Sequence, residues 1–586
     1  MTSIIEHYEL YNLSDEIIIF PSITDNNKAL KINKKNQKIS FEECKIPEGS
    51  EKIEIEGIIG IHELEKSNCL IVITKKKLIT KFLQHKFYQI EGYDIFPITE
   101  HEEESFREYH KNVISSTLSI PSFYFSYTYD LTRSYQTQPS SQGTVFDRCN
   151  LQFVWNHKMI KSLPEMMRLP IIQGFIGRSE CAVEPEVKSN IVIKKVELIL
   201  ISRRSNQRVG RRYYVRGAEQ NGEVANYVET EQIIRVGEKY CSYVQIRGSI
   251  PLLWSQIPNI KYKPKIAISQ NEEENYEAFK NHFENIKKQY KKITAVSLTD
   301  LKGGEKSLGD KYEEYVNKMN DQDIQLKRVD FHKLMKNMKE LMNYMETIYK
   351  ENDFSWCQWN INSKEHEQKG VFRVNCVDNL DRTNVCESVF GRLTAEQFLK
   401  EKENNILMDQ DKITDNACLN AMFVNLWADN GDQMSKQYTG TCALKNDITR
   451  TGKRTKMGLI NDGTNSILRY FINNFYDGET TDHMNVFLGN CEGTNTKYHF
   501  KGMNKIIIYG LIGSLFIAVV CGVTSLLTGN TGLFMTSILG LIGFITCSTI
   551  ALIQGKKVTI PPTLMPIRDY QVENKASEQT KKEKED

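Results

Sequence analysis

The chain has 586 residues, with 76 Lys+Arg against 74 Asp+Glu, 40% hydrophobic and 26% charged. That length points to roughly two to four domains, and the composition excludes a disordered or collagen-like chain. The formal net charge of +2 excludes the basic excess that general nucleic-acid binding needs, and 13 cysteines without a C-x-x-C pair predict reduced, cytosolic thiols rather than a zinc site or a disulfide framework.

Met1–Phe20 carries Glu6, Glu9, Asp15 and Glu16 and lacks the basic-then-apolar order of a secretory signal. In residues 1–178 the alternating runs Lys52-Ile-Glu-Ile-Glu56 and Cys69-Leu-Ile-Val-Ile-Thr74 read as strands. Residues 179–490 mix strands (189–202 and 243–247) with helical spacing over 272–290 and 312–345 and a further helix after Asn384. The expected class is therefore α/β, a β-rich N-terminal subdomain packed on an α/β catalytic subdomain. Two basic clusters stand out. One is Arg203, Arg204, Arg208, Arg211, Arg212 and Arg216; the other is Lys445, Arg450, Lys453, Arg454 and Lys456. Each reads either as an anion site or as a solvated basic surface.

A linker, 491–505, leads to a stretch without charge from Ile506 to Gly555. Ile506–Leu527 and Leu533–Ile553 are each long enough to span roughly 30 Å of hydrocarbon at 1.5 Å per residue, and a soluble helix rarely lacks a polar face. The reading is a two-helix transmembrane hairpin over 506–553. Lys501 and Lys505 precede it, Lys556 and Lys557 follow it, and the turn is uncharged, so both termini are expected in the cytosol. The tail, 554–586, carries mixed charge and Pro561-Pro562 and reads as mobile. Its end, Lys582-Glu-Lys584-Glu-Asp586, is similar to a dilysine retrieval signal. That similarity implies residence in the endoplasmic reticulum membrane, cycling to the Golgi, and the retrieval coat machinery as partner.

The chemistry sits in Val371-Phe-Arg-Val-Asn-Cys376-Val-Asp-Asn-Leu-Asp-Arg382-Thr-Asn384. Five residues between Cys376 and Arg382 can curl so that their N–H groups point at one phosphate, with the sulfur beneath the phosphorus and the guanidinium forked onto two oxygens. The same spacing occurs at Cys241–Arg247 and Cys386–Arg392. Those two lie in a strand-like and a helical stretch, which cannot form the cradle. Only Cys376 follows a strand and precedes a helix, where anions bind.

The segment resembles the R-x-N-C-x-D-C-L-D-R-T-N signature of the Sac-domain phosphoinositide phosphatases. Further blocks agree: Phe123–Thr132, Phe153–Asn156, Ser202–Arg204, Tyr227–Glu231, Arg247–Trp254, Trp427–Asn430 and Thr449–Thr455. The resemblance covers roughly residues 100–490, and the hairpin is similar to that of the family's endoplasmic reticulum/Golgi member. Asn379 departs from the pattern by replacing the second loop cysteine.

The resemblance implies dephosphorylation of inositol lipids, with phosphatidylinositol 4-phosphate the favoured substrate and the 3-phosphate second, and no cofactor or metal. In that reading Cys376 attacks phosphorus as a thiolate, a cysteinyl-phosphate forms, and water hydrolyses it. Arg382 and the amides of Val377, Asn379, Leu380, Asp381 and Thr383 hold the phosphate. Asp378 is the first candidate for the general acid, with Asp381 and Asp429 as alternatives; an Asp that caps the helix or pairs with an Arg is the competing reading. Thr383 either bonds the thiolate or simply starts the helix, and Lys453 and Arg454 are expected to face the headgroup. Two other functions stay open, a catalytically weak phosphoinositide-binding scaffold and a protein-tyrosine phosphatase with the same loop.

Overall fold

The computed structural model of the chain describes residues 4–22, 28–45, 49–64, 67–99, 103–139, 143–183, 193–334, 338–352, 357–360, 363–401, 404, 406–451, 454–492, 503–553, 555–566 and 570. Alternating residues at the N-terminus form a five-stranded antiparallel sheet over Tyr8–Asn12, Glu16–Pro21, Lys28–Asn33, Ile39–Glu43 and Ile53–Ile55. Leu10, Ile17, Ile19, Leu30 and Ile32 from its strands share one apolar core.

A 13-stranded sheet runs through the rest. Antiparallel strands from Gly57–Leu64 to Lys239–Arg247 make most of it, and the parallel strands Gly370–Asn375, Lys292–Ser297 and Ile324–Arg328 finish it. Residue 178 lies within strand Ile171–Val183, so the sheet continues across the expected boundary. Gly370–Asn375 is buried on both faces, as expected of a strand with parallel neighbours. Val371 joins the core with Phe279, Phe283 and Tyr312, whereas Phe372 and Val374 join Tyr349 and Phe390 on the other side. The side-chain period of two thus splits this short strand between two cores.

The helices include Glu272–Lys287, Lys306–Met319, Met338–Glu351, Asp381–Lys400, Ala417–Thr439, Lys456–Phe475 and Asp477–Phe487. The helix expected over 312–345 is broken. Asn320 takes the left-handed conformation (φ 48°) at the end of Lys306–Met319, and Ile324–Arg328 follows as a strand. A second correction concerns the thiols. Cys181 and Cys418 form a disulfide between strand Ile171–Val183 and helix Ala417–Thr439, across 237 residues of sequence. That pairing leaves no local spacing to read.

Helices Met503–Thr528 and Thr531–Ile553 pack side by side, with Ser537 Oγ donating to the Ala518 carbonyl at 2.7 Å and Gly540 against the Ala518 backbone. Among the described residues Thr531–Ala551 is long and apolar enough to cross a membrane, and Ile512–Thr528 is apolar but shorter.

The segment after this pair packs back onto the helices Lys456–Phe475 and Asp477–Phe487, which corrects the expectation of a mobile tail for 555–566. Ile560 N–H donates to the Asn474 carbonyl at 2.9 Å. The buried Asp482 carboxylate accepts the N–H groups of Thr563, Leu564 and Met565 at 2.6, 3.1 and 3.2 Å. Residues 571–586, with the two tail lysines, lie outside the described residues.

Candidate active site

Ser297 and Asn375 are paired at the carboxyl ends of adjacent parallel strands, so the segments that follow emerge side by side. Crevices at such strand ends are where open α/β sheets place ligands. The Leu298 N–H donates to the Asn375 carbonyl at 2.7 Å and locks the two exits together. The chain turns through Cys376–Leu380 into helix Asp381–Lys400, with Asn384 N–H donating to the Leu380 carbonyl at 2.8 Å. Cys376 is 2% exposed and lines a cavity of about 200 Å³ with Asp378, Asp381, Arg382, Asn384, Leu444 and Lys445.

The loop is braced from several directions. Asn379 is buried with φ 55°, a conformation that asparagine tolerates better than most residues, and it exchanges bonds with Asn226. Its Nδ2 donates to the Asn226 carbonyl at 2.9 Å, and Asn226 Nδ2 donates back to its carbonyl at 3.4 Å. The departure from the family pattern therefore suits the backbone here. The Val377 carbonyl accepts from Arg216 Nη1 at 2.9 Å, and Leu380 is buried. Thr383 is buried, and its hydroxyl has no hydrogen-bond partner among the described residues. Asn384 ties the helix to its neighbour: Nδ2 donates to the Trp427 carbonyl at 2.9 Å, and Oδ1 accepts from Arg247 and Asn430 at 3.0 and 3.1 Å.

The two loop carboxylates differ. Asp378 meets Arg216 at 2.7 Å and Arg212 at 3.2 Å. Burial works against its charge, but Arg212 and Arg216 overcome this and hold the carboxyl far below the usual range. A carboxylate so held is a poor proton donor, and the pairing matches the competing reading of an Asp held by nearby Arg residues. Asp381 Oδ1 accepts the Leu444 N–H at 3.0 Å, and Arg469 lies 3.9 Å from Oδ2. Burial pushes the Asp381 carboxyl up despite both partners. Asp429 is half exposed and pairs with Arg450 at 2.6 Å.

Arg382 lines the cavity with Cys376 and is tied to the exit of the neighbouring strand. Nη1 donates to the Leu298 carbonyl at 2.9 Å, and the guanidinium pairs with Asp300 at 3.3 Å and Glu305 at 3.1 Å. Neither acid was expected from the sequence. The signal was positional, since both follow the strand parallel to Gly370–Asn375.

The first basic cluster is not a solvated basic surface. Arg203, Arg204, Arg211, Arg212 and Arg216 are buried; Arg203 pairs with Glu229 and Glu231, and Arg212 and Arg216 reach the loop. In the second cluster Arg454 pairs with Asp447 at 2.9 Å and Asp462 at 2.6 Å. Lys453 lies outside the described residues.

Known proteins resemble this chain over most of its length. The family of the SacI homology domain matches residues 56–336. Phosphatidylinositol-3-phosphatase SAC1-B of Danio rerio is 37% identical over 455 residues, covering 74% of this chain and 76% of that protein. The chain belongs to the Sac phosphoinositide phosphatase family. SAC1-A of Danio rerio is 33% identical over 557 residues, covering 91% and 93% of the two chains. Phosphoinositide phosphatase SAC7 of Arabidopsis thaliana is 32% identical, with 82% of each chain covered. The similarity thus covers most of the molecule.

Proposed function

We propose that this Sac-family enzyme hydrolyses the phosphomonoester of phosphatidylinositol monophosphates through a cysteinyl-phosphate on Cys376. The observation that carries the reading is the position of Cys376, at the end of the doubly buried strand and in the wall of a cavity shared with Asp381 and Arg382. The 4-phosphate is the favoured substrate on the family resemblance, and the 3-phosphate is the one that the names of the Danio rerio relatives print.

The Cys376 thiolate attacks phosphorus, an S–P bond forms, and the bond from phosphorus to the inositol oxygen breaks. The leaving oxygen takes its proton from Asp381. Water then attacks the cysteinyl-phosphate, the Asp381 carboxylate accepts its proton, and the S–P bond breaks to release phosphate. Arg382 contributes once it exchanges Glu305 and Asp300 for phosphate oxygens. Asp378 stays ionised and positions Arg212 and Arg216 behind the loop.

The region around the loop, 179–490, is the catalytic one, joined through 491–505 to a membrane hairpin over 506–553 with both termini cytosolic. The apolar Thr531–Ala551 helix and the lysines at both flanks support that topology. Lys582 and Lys584 serve retrieval to the endoplasmic reticulum, and alanine at both positions is expected to move the protein toward the Golgi in live cells.

Phosphate release from a panel of phosphoinositides in proteoliposomes tests the activity, with Cys376→Ser as control. Release by that variant at the wild-type rate would sink the mechanism. The scaffold reading draws on the ion pairs of Arg382; binding without turnover by the wild-type chain would favour it.

A further inference from the structure

The helix Lys456–Phe475 is amphipathic in the inverted sense. At 100° per residue Met457, Ile460, Thr464, Ile467, Leu468 and Phe471 fall in one arc of about 100°. A surface helix normally turns such a stripe toward the core. Here it faces out, with Met457 65%, Ile460 62%, Ile467 64% and Phe471 52% exposed. The opposite side is polar and docked. Arg469 donates from Nε to Thr441 Oγ1 at 2.9 Å and from Nη2 to the Cys442 carbonyl at 2.8 Å, and Asn473 is buried. Asp462, also on that side, accepts from Arg454 at 2.6 Å and from the Lys445 N–H at 3.0 Å. The outward arc therefore contains no carboxylate.

Its surroundings indicate what covers it. Phe475, at the end of the helix, packs with Ile260 against Ala551, near the end of the second hairpin helix, and Val558, in the short turn Gly555–Val558 that follows it. Gly555 lies on the backbone of Asn259, where a Cβ would come within 2.0 Å of the carbonyl oxygen. The apolar stripe thus runs into the base from which the hairpin departs. The loop at that junction reads Asn259-Ile-Lys-Tyr-Lys-Pro-Lys265, with Tyr262 68% exposed between Lys261 and Lys263. Tyr470 Oη donates to the Ile260 carbonyl at 2.6 Å and fastens this loop to the helix. A wet-ended aromatic flanked by lysines suits the headgroup level of a bilayer, and an uncharged apolar face beside it suits the acyl boundary.

We infer that Lys456–Phe475 lies in the membrane interface beside the hairpin, with its outward stripe buried at the acyl boundary and Tyr262 at headgroup level. The occupant is the lipid surface of the chain's own membrane. The inference rests on the reading of 506–553 as a membrane hairpin and adds a second contact that the hairpin does not require. The docked side of the same helix reaches the site. Lys445, held to Asp462, lines the cavity of Cys376, and Arg469 stands 3.9 Å from Asp381. A helix seated in the interface would therefore hold the cavity mouth where headgroups are.

The test uses the full chain in proteoliposomes. Ile460→Glu combined with Ile467→Glu is expected to lower turnover of long-chain substrate in the same bilayer by about tenfold or more. Turnover of a short-chain, water-soluble substrate should be unchanged, which also reports that the variant is folded. Phe471→Trp, a conservative change, is expected to be quenched more by lipids brominated just below the headgroup than by lipids brominated at the chain ends. If the glutamate variant loses soluble-substrate turnover as well, the tryptophan depth measurement decides. Unquenched tryptophan overturns the inference, and so does unchanged bilayer turnover. Conversion of a dimer to a monomer by the glutamates, with bilayer turnover intact, would instead make the face a self-association surface. Alkaline carbonate extraction, of the wild type and of the F471W chain, separates the two readings. Release from membranes sinks the hairpin, whereas retention with an unquenched indole in the F471W chain sinks the interfacial helix alone.

Discussion

Glu305 holds Arg382 with both carboxylate oxygens, Oε2 to Nη1 and Oε1 to Nη2, each at 3.1 Å. This is the two-pronged geometry that a phosphate would need from the same guanidinium. In the proposed mechanism substrate displaces Glu305, and the ion pair is subtracted from the binding that Arg382 provides. Glu305→Gln is expected to raise kcat/KM roughly three- to tenfold, an effect on the order of 1 kcal/mol. A fall in kcat/KM would show that Glu305 supports the site instead of competing for its arginine.

Asp378 and Asp381 give a paired prediction. Asp381→Asn is expected to lower kcat by roughly 10²- to 10⁴-fold, the range for loss of a general acid. A general acid must be protonated, and burial raises the Asp381 carboxyl above its ordinary range. Wild-type kcat should therefore decline as pH rises through that raised value, and the variant should lose this limb. Asp378→Asn should leave the limb in place and lower the denaturation midpoint, because Arg212 and Arg216 lose the carboxylate that balances them. A pH profile in which Asp378→Asn alone removes the limb would reverse the assignment.

Treatment with EDTA is expected to leave turnover unchanged, since Arg382 and the loop amides supply the positive charge on the phosphate. Restoration of lost activity by added Mg²⁺ would point to different chemistry.

Asp477 carries a prediction about stability. It is fully buried, Arg211 Nε stands 3.8 Å away, and burial pushes its carboxyl from 3.8 up to about 7. The folded chain keeps this proton after the unfolded chain has lost it. This contribution is fully present below pH 3.8 and is lost as pH rises from there to about 7. Asp477→Asn should flatten the denaturation midpoint over that window. A midpoint that keeps the wild-type slope would remove Asp477 as the cause.

The placement of the loop between a strand and a helix was legible because it is local. Cys376 and Arg382 are six residues apart, and the strand before them and the helix after them follow from short-range pattern. The other two C-x5-R matches lie, as expected, in strand Lys239–Arg247 and helix Asp381–Lys400. What sequence did not reveal is pairing over distance. The partner of Asp378 is 162 residues away in Arg216, and that of Arg382 is 77 away in Glu305. Arg212 and Arg216 were visible as a cluster, but charge density alone does not separate a buried scaffold from a surface patch. The break at Asn320 was hidden for another reason: Ile324-Gln-Leu-Lys-Arg328 is too short to outvote the helical residues around it.

For the proposed membrane hairpin, the bonds from Asp482 to Thr563, Leu564 and Met565 have a mechanical consequence. A body moored by one flexible cable can swing and roll, and its opening samples every heading. This body has a second mooring, made almost as soon as the chain leaves the last apolar turn, with Gly555 already against Asn259. Extra length inserted ahead of the first helix would loosen only one of the two attachments. The bearing of the cavity mouth relative to the bilayer would still be set from the other side.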